Sequence, residues 1–391
     1  MSASASPDAP QRIASATLNK LVEKLTEEKG EKVTEYLDFV KTFLLTYQSF
    51  TTAEALLQLL TDRYAVPNDK SLPQPEFDKF RITIQLRVCN VLLQWIKKYS
   101  WDFVHPQHGR RICNEALQVV DKVIAFEHPA MAKQIRKGIL KLLDGSATAS
   151  PNQLLSSWKS TVGVRNDPNG IVFGYSSDEI ARQLTMIEEY LFSAIMASLS
   201  PNRFFACAHP ADMPGVQPSE LLNQAWTKKD AAYLDAMGNF STLMAIIAGL
   251  NKAAISRLKQ TMKELSAKSQ KASGLDETLR LGELERQMSA EGSYKNYRAR
   301  VRKAEPPWIP YIGTYLIDLT YMEDGNPDMI QNRINFSKRE LISGVIREMI
   351  VLQQTLYSIK PVEELAAILS NIPEASEDQE KRMWLESKKI E

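Results

Sequence analysis

The sequence predicts an all-α protein made of two helical modules, and three observations lead to that prediction. Apolar residues recur at three- and four-residue steps over most of the chain, and helix-start signals precede several of these runs. No stretch alternates with the two-residue period of a strand for more than a few residues. With 391 residues, 44% of them hydrophobic, the chain can bury a sizeable core.

The first module is predicted over residues 30–143. EYLDFVKTFLLTYQSF places its apolar residues on one helical face, and TTAEALLQLL opens a second helix, with Thr51 and Glu54 spaced as a capping box. A third helix is predicted from about residue 84 to 99. Residues 144–173, rich in Ser, Gly, Asn and Pro, are interpreted as a linker.

The second module is predicted over residues 174–372, followed by a C-terminal tail at 373–391. SSDEIARQLTMIEEYLFSAI restarts helical periodicity, and Ser337 with Glu340 is spaced to cap the last long helix. In YLIDLTYMEDGNPD, residues 315–328, an amphipathic run ends in an acidic, turn-forming tip. Further helices are predicted at about 239–251, 253–266, 276–289, 309–322 and 337–357.

Charge and composition exclude several classes of protein. The net charge of +1 gives no general attraction to nucleic acid or to anionic membranes. No apolar run approaches the roughly 18 residues that a membrane span needs. Residues 1–29 lack the apolar core of a signal peptide and are predicted to be a disordered leader. The three cysteines indicate a reducing compartment, so a cytoplasmic protein is expected.

Motifs for chemistry are absent from the sequence, so no cofactor and no metal site are expected. There is no phosphate-binding glycine loop and no Cys/His pair at metal-ligand spacing. The segment YKNYRARVRK, residues 294–303, mixes aromatic and basic residues, so nucleic-acid binding is considered as a hypothesis. The residues that would bind are Lys295, Arg298, Arg300 and Arg302. A solvated helix with two anchoring tyrosines is the favoured interpretation, and no nucleic-acid partner is expected.

Longer blocks carry a family resemblance. NFSTLMAIIAGLNKAAISRLKQTM (239–262), SYKNYRARVRKAEPPWIPYIGTYLIDLTYMEDGNPD (293–328) and INFSKRELISGVIREMIVLQQTLY (334–357) resemble the catalytic domain of the Ras-type guanine nucleotide exchange factors. EYLDFVKTFLLTYQSFTTAEALLQLLTDRY together with LRVCNVLLQWIKKYSWDF (86–103) is similar to the Ras exchanger motif that usually precedes this domain. Several blocks in the family's order make the resemblance specific.

The resemblance implies an α-helical bundle with a protruding helical hairpin that wedges open the nucleotide site of a small GTPase. Its first arm matches Ile309 to Met322, its tip Glu323 to Asp328, and its second arm begins near Asn335. Asp324 falls on the acidic residue that competes for the magnesium and phosphate region, where glutamate is common. Thr320 matches a position that is bulkier and apolar in some members. Glu323, Asp324 and Thr320 are therefore the candidate catalytic residues.

The resemblance also implies a binding surface for the second switch of the GTPase. Tyr311, Tyr294 and Met244 match positions in an apolar and aromatic pocket, and Asn251 matches a polar contact nearby. Helical spacing alone favours ordinary core packing for the first three, and only the resemblance favours a binding role. For Asp324 the alternative is simple turn formation in Asp-Gly-Asn-Pro.

Two departures from the family pattern bear on stability. AAYLDAM replaces a pair of helices near residues 231–238, and an irregular stretch is inserted near residues 196–216. The missing helices are expected to leave Leu243, Ile247 and Leu250 partly uncovered, and so to lower stability and exchange.

The leading hypothesis is an exchange factor for a Ras-family GTPase, whose nucleotide-free form is the binding partner. It would be recruited to the inner face of the plasma membrane without inserting into it. The alternative is a non-catalytic module that binds a Ras-like GTPase with an incomplete core. A weaker third hypothesis is a helical scaffold that binds nucleic acid.

Overall fold

A computed structural model describes residues 14–27, 33–68, 73–105, 107–144, 175–198, 228–264, 267, 277–369 and 377–391. Within these ranges helices predominate and strands are confined to three short segments, so the all-α class is confirmed. The chain divides into two compact units. Among the described residues, the first unit contains 14–144 and 319–347, and the second contains 175–198, 228–318 and 348–391.

The N-terminal part of the first unit is a set of helices around an aromatic core. Trp95 is completely buried, packs edge-on against Tyr47 with ring centroids 5.6 Å apart, and donates a hydrogen bond from its indole N–H to the Tyr47 hydroxyl at 3.1 Å. The Tyr47 hydroxyl donates in turn to the buried Asp102 carboxylate. The helices span Leu18–Leu25, Val33–Thr46, Ala53–Tyr64, Gln74–Lys98, Trp101–Val104, Gly109–Val119, Ala125–Glu127 and Pro129–Leu143.

The predicted leader is partly folded, so the expectation of disorder over residues 1–29 is wrong for Ser15–Leu25. The helix Leu18–Leu25 begins behind Thr17, whose hydroxyl accepts a hydrogen bond from the Lys20 amide at 3.4 Å. Its Leu21, Val22 and Leu25 side chains are buried. These apolar residues are closely interleaved with charged ones, which lowers mean hydropathy and hides the helical stripe in so short a segment.

Three short strands form a sheet in the first unit. Strand β1, Ser15–Ala16, pairs antiparallel with β3, Arg333–Asn335, and β3 pairs antiparallel with β2, Met329–Ile330. The β2–β3 turn contains Gln331 and Asn332, whose φ values are 48° and 61°. Positive φ at both central residues is typical of the type I′ turn, which fits the right-handed twist of the two strands that it joins. The central strand β3 leads directly into a long helix, so the sheet fixes where that helix begins.

The second unit is helical wherever it is described. The predicted helix 253–266 is interrupted, because Ala253–Ser256 ends and helical backbone resumes at 259–264. The predicted tail contains a helix, and most of the predicted linker and insertion lies outside the described residues. The helices Ile312–Gly325 and Phe336–Leu352 are each divided between the two units. The other helices of the second unit are Ser177–Ser198, Lys228–Met237, Phe240–Leu250, Ala253–Ser256, Glu277–Met288, Glu291–Val301, Glu363–Leu369 and Glu377–Ile390.

Two of the predicted helix caps are displaced. The second helix of the first module begins behind Thr52, which accepts a hydrogen bond from the Ala55 amide at 3.2 Å, and not behind Thr51. The helix Phe336–Leu352 begins behind Asn335, whose side-chain oxygen accepts from the Lys338 amide at 3.2 Å. Asparagine is among the strongest N-cap residues, so it takes the position predicted for Ser337.

The shortened connection before residue 238 still forms a helix. Lys228–Asp230 extend AAYLDAM into the ten-residue helix Lys228–Met237, which packs against Ser177–Ser198 and Phe240–Leu250. Leu243 and Ile247 are buried, with 0% and 5% of their surface exposed, and Leu250 is half-buried. The expectation that Leu243 and Ile247 would be partly uncovered is therefore wrong, whereas Leu250 is partly uncovered as expected.

Candidate functional site

The acidic tip lies at the end of a helix in the first unit. We call the helix Ile312–Gly325 the first arm and the helix Phe336–Leu352 the second arm. The first arm ends three residues later than predicted, so Glu323 and Asp324 are helical and do not form the turn. The turn starts at Asn326, whose side-chain amide donates to the Met322 carbonyl at 3.0 Å. This correction gives Asp324 a helical backbone.

Two buried cations connect the tip to the start of the second arm. Only 2% of the Lys338 side chain and 1% of the Arg339 side chain are exposed. The Lys338 ammonium lies 2.5 Å from the Glu323 carboxylate and 2.9 Å from that of Asp328. The Arg339 guanidinium donates to the Asp328 carboxylate at 2.6 Å. These contacts compensate charges that would be costly to bury alone.

The surrounding charges also change the acidity of Asp328. Burial acts to raise the pKa of its carboxyl, but hydrogen bonds from Lys338 and Arg339 outweigh burial and lower the pKa below its usual value. Asp328 therefore remains ionised as the partner of both cations.

Asp324 differs from its acidic neighbours. Its side chain is exposed, and no hydrogen bond or ion pair to it is found in the part of the chain that the structure describes. Thr320 is half-buried one helical turn before it, so the two lie on one face of the first arm. Tyr321, 69% exposed, adds an aromatic surface that the sequence prediction missed. Among the described residues Asp324 is thus exposed and without an ion pair, whereas Glu323 is paired with the buried Lys338.

Residues from the N-terminal part of the first unit support the second arm. The Phe39 and Phe336 rings are 4.7 Å apart, and the hydroxyls of Thr42 and Ser343 are hydrogen-bonded at 3.0 Å. The Ser337 amide donates to the Ala14 carbonyl at 3.1 Å, which extends the contact made by β1. Aromatic packing, a buried hydroxyl pair and strand pairing therefore fix the base of the second arm at several points.

Disrupting β1 is expected to loosen the tip. The variant Ser15→Pro/Ala16→Pro removes the one backbone N–H of the strand that donates to β3, since neighbouring residues of an antiparallel pair alternate in their bonding, and the lost hydrogen bond costs about 1 kcal/mol. Amide hydrogen–deuterium exchange in β2 and β3 should become about fivefold faster or more. The control Ser15→Thr/Ala16→Ser keeps the N–H groups. Unchanged protection of β3 in the proline variant would mean that β1 does not hold the tip.

A cluster of three tyrosines forms the second group of candidate residues, in the second unit. The ring centroids of Tyr294 and Tyr311 are 5.7 Å apart, and those of Tyr297 and Tyr311 are 6.5 Å apart. Tyr297 is buried, and its hydroxyl accepts a hydrogen bond from the Tyr311 amide at 2.9 Å. Tyr297 therefore fixes the backbone at Tyr311, a role that the sequence prediction missed.

Both partially exposed tyrosines present unusual local features. Burial, with a smaller contribution from Tyr294, raises the pKa of Tyr311 to about 12, so its hydroxyl stays neutral. Tyr294 has a φ of 61° and follows Gly292 and Ser293, which have similar positive values. Left-handed non-glycine residues are strained and occur preferentially at functional sites. The left-handed turn at residues 292–294 ends at Tyr294, and the rest of the helix, through Val301, is right-handed.

Gly313 determines where the Tyr311 ring can lie. A Cβ atom added to Gly313 would be 2.4 Å from Cζ and 2.5 Å from the hydroxyl oxygen of Tyr311, far inside van der Waals contact. The ring therefore occupies space that only glycine leaves open. Nothing in the helical periodicity indicates this, although a glycine within an apolar run is a general sign of a close approach.

The other two candidates lie on the helix Phe240–Leu250. Met244 is half-buried four residues after Phe240, so the two share a helix face. Phe240 contacts Tyr297, with ring centroids 5.6 Å apart, which connects this helix to the tyrosine cluster. Asn251 is exposed at the opposite end of the helix, where its backbone N–H donates a hydrogen bond to the Ile247 carbonyl at 3.0 Å. Among the four predicted binding residues, a ring contact joins Tyr294 and Tyr311.

The basic segment considered for nucleic-acid binding is partly used within the fold. The Arg298 guanidinium makes two hydrogen bonds of 2.8 Å to the Asp318 carboxylate. Arg300 lies over the Phe240 ring at 5.6 Å and 3.9 Å from the Asp235 carboxylate. Two of the four cations in that hypothesis therefore have structural partners, which disfavours it.

Comparison with known proteins gives two family matches. The RasGEF N-terminal motif matches residues 12–119, and the RasGEF domain matches residues 230–340. The first match includes β1 and the helix Leu18–Leu25, in agreement with their folded state. Among the described residues, no helix has both the length and the apolar character required to cross a membrane.

Similar proteins include three from Dictyostelium discoideum. Ras guanine nucleotide exchange factors J, I and R are 32%, 33% and 32% identical to this chain over 92%, 94% and 92% of its length. The chain spans 46%, 46% and 21% of these relatives, less than half of each. With both of the family's modules present in the expected order, the chain belongs to the Ras guanine nucleotide exchange factor family.

Proposed function

We propose that this chain is a guanine nucleotide exchange factor for a Ras-family small GTPase. The observation that carries the proposal is the environment of Asp324. Its carboxylate is exposed at the end of the first arm, while the neighbouring Glu323 and Asp328 are paired with buried cations. Family membership supplies the class of partner.

The proposed mechanism needs no covalent chemistry. A protein that binds the nucleotide-free GTPase more tightly than the nucleotide-bound form must weaken nucleotide binding by the same factor. Each factor of ten requires about 1.4 kcal/mol of differential binding free energy. A carboxylate placed at the phosphate and magnesium region supplies such a difference, because it repels the phosphates and competes for the metal. Asp324 would provide that carboxylate.

Stiffness of the tip is the second requirement. A carboxylate on a loose segment would move away from the phosphates instead of destabilising them. The pairing of Lys338 and Arg339 with Glu323 and Asp328, together with the supports to the second arm, supplies this stiffness in the first unit. Asp324 is one methylene shorter than the glutamate common in the family, so a fixed helical position matters more.

The tyrosine cluster is proposed to bind the second switch of the GTPase. Tyr294 and Tyr311 present aromatic surface with little side-chain entropy to lose, as is typical of interface hot spots. Met244 would add an adaptable apolar contact and Asn251 a hydrogen-bonding group. These contacts would contribute affinity, while Asp324 would contribute most to nucleotide release.

Release of a fluorescent GDP analogue from a panel of Ras-family GTPases tests the proposal. The wild-type chain is expected to accelerate release from at least one of them. Asp324→Ala should slow release about tenfold while the complex with nucleotide-free GTPase still forms. Tyr311→Ala should weaken complex formation by about tenfold or more, as expected for a hot-spot aromatic. Asp324→Glu should keep or increase the rate.

Two substitutions outside the candidate site serve as controls. Asp62→Ala removes an exposed helical carboxylate, and Tyr233→Ala removes a tyrosine that is 45% exposed. Both should leave the release rate unchanged. Complex formation without release would support the alternative, a non-catalytic GTPase-binding module. If no GTPase of the panel binds, both proposals fail.

A further inference from the structure

The helix Glu377–Ile390, which we call the C-terminal helix, is docked on residues 252–261 within the second unit. The Lys252 ammonium lies 2.6 Å from the Glu380 carboxylate. The Glu391 side chain accepts hydrogen bonds from the amides of Gln260 and Thr261, at 3.1 and 2.5 Å. These contacts fix which side of the helix faces the protein.

Docking separates the charges of this segment. Glu380 and Glu391 are used in the inward contacts, whereas Lys388 and Lys389 are exposed. Lys259 and Lys263, also exposed, flank the amides that bind Glu391 and so lie at the same end. We call these four lysines the basic end. They exceed the exposed acidic residues of the same region, Glu264, Glu386 and Glu391, by one charge.

The same helix exposes apolar side chains. Leu385 is 57% exposed, Ile390 63% and Trp384 37%. Trp384 is flanked by two cations, with Arg257 at 5.4 Å and Lys388 at 5.1 Å from the ring centroid. Exposed lysines beside exposed Trp, Leu and Ile are typical of helices that lie in a membrane interface, where tryptophan is also enriched.

We propose that the basic end and the exposed apolar residues of the C-terminal helix form a docking surface for an anionic lipid bilayer. The lysines would face the lipid phosphates and carboxylates, while Leu385 and Ile390 would reach the boundary of the acyl chains. The contact is peripheral and reversible, since so few cations and apolar groups give modest affinity. It does not depend on the proposed exchange activity.

Anionic lipid fits this surface better than nucleic acid does. Both would attract the lysines, but the aliphatic side chains of Leu385 and Ile390 find no counterpart along a phosphate backbone, where contacts are made by charged and hydrogen-bonding groups. In a bilayer the same side chains gain free energy by leaving water. The exposed apolar residues therefore distinguish the two partners.

Co-sedimentation of the 391-residue chain with vesicles tests the surface, in the absence of any GTPase. Binding is expected to vesicles of phosphatidylcholine with about 30% phosphatidylserine, and it should weaken as salt rises from about 0.05 to about 0.3 M. Lys388→Ala/Lys389→Ala should lower affinity about thirtyfold, since each lysine near an anionic surface contributes about fivefold. Leu385→Ser/Ile390→Ser should lower affinity at constant charge.

A matched control is available in the first unit. Lys97→Ala/Lys98→Ala removes two adjacent exposed lysines from the end of another helix, and it should leave binding unchanged. Equal binding to phosphatidylcholine alone, no binding at all, or wild-type binding by Lys388→Ala/Lys389→Ala would each overturn the proposal. Vesicle binding that survives Leu385→Ser/Ile390→Ser but is displaced by an oligonucleotide would assign the basic end to nucleic acid instead. Circular dichroism melting confirms that each variant is folded.

Discussion

Replacing Glu323 and Asp328 together by alanine is expected to destabilise the tip by about 3 kcal/mol or more. The substitutions remove the carboxylates that compensate Lys338 and Arg339, whose side chains are 2% and 1% exposed. Uncompensated buried cations must recruit water or leave their sites, and either response separates the first arm from the second. Amide hydrogen–deuterium exchange across both arms should increase, and nucleotide release should slow even though Asp324 is unchanged.

Two further variants isolate the cause. Adding Lys338→Met to the double variant removes one buried charge and should recover part of the lost protection, because an apolar group of similar length suits a buried position. Asp178→Ala removes a carboxylate from a solvent-exposed ion pair with Arg182, which solvent screens, and should change stability far less than the double variant does. If the double variant retains wild-type protection and activity, the buried cations do not hold the tip.

Acidification should reproduce part of this effect. The pKa of Asp328 is lowered in the folded protein, because hydrogen bonds from Lys338 and Arg339 outweigh the opposing effect of burial. A lowered carboxyl pKa stabilises the fold at pH values above the unfolded pKa of about 4, and this stabilisation is lost as the pH falls through the folded value. Protection of the tip should therefore be constant near neutral pH and should decrease only below about pH 4.

The sequence predicted the long helices well because their apolar faces repeat over many turns. The first arm was predicted as Ile309–Met322 and is observed as Ile312–Gly325, a shift of one turn. The extension through Glu323 was missed because Asp-Gly-Asn-Pro favours a turn, whereas pairing of Glu323 with the buried Lys338 favours continued helix. Local turn preference was outweighed by a tertiary ion pair.

Features that depend on a distant partner were not predictable from local patterns. Strand β1 has two residues and no period of its own, and it exists because β3 offers an edge. The burial of Lys338 and Arg339 contradicts the usual exposure of charged residues and follows only from where Glu323 and Asp328 lie. The residues that position Tyr311 were missed for the same reason, since a glycine contact is invisible in helical periodicity.

Gly313→Ala is expected to slow nucleotide release about as much as Tyr311→Ala does, with little loss of fold stability. The added Cβ would lie 2.4 Å from Cζ of Tyr311, so the ring must move away from its position beside Tyr294. A displaced hot-spot aromatic costs about 1.4 kcal/mol or more in binding, which is roughly a tenfold loss. Thermal unfolding and GDP-analogue release of the same preparation measure the two effects.

Gly282→Ala is the matched control. Gly282 also lies inside a helix, Glu277–Met288, but a Cβ added there meets nothing within 4 Å. Alanine should stabilise that helix by about 0.5–1 kcal/mol and leave nucleotide release unchanged. A similar loss of activity in both variants would show that general rigidity of the second unit, and not the Tyr311 ring, limits activity.

The double variant Gly313→Ala/Tyr311→Ala distinguishes a positioning role from a structural one. If Gly313 acts only by leaving room for the Tyr311 ring, the double variant should be no less active than Tyr311→Ala alone, because no ring remains to collide with the new methyl group. If Gly313→Ala instead distorts the start of the first arm, its effect should add to that of Tyr311→Ala. Full additivity of the two free energies would therefore reject the positioning role of Gly313.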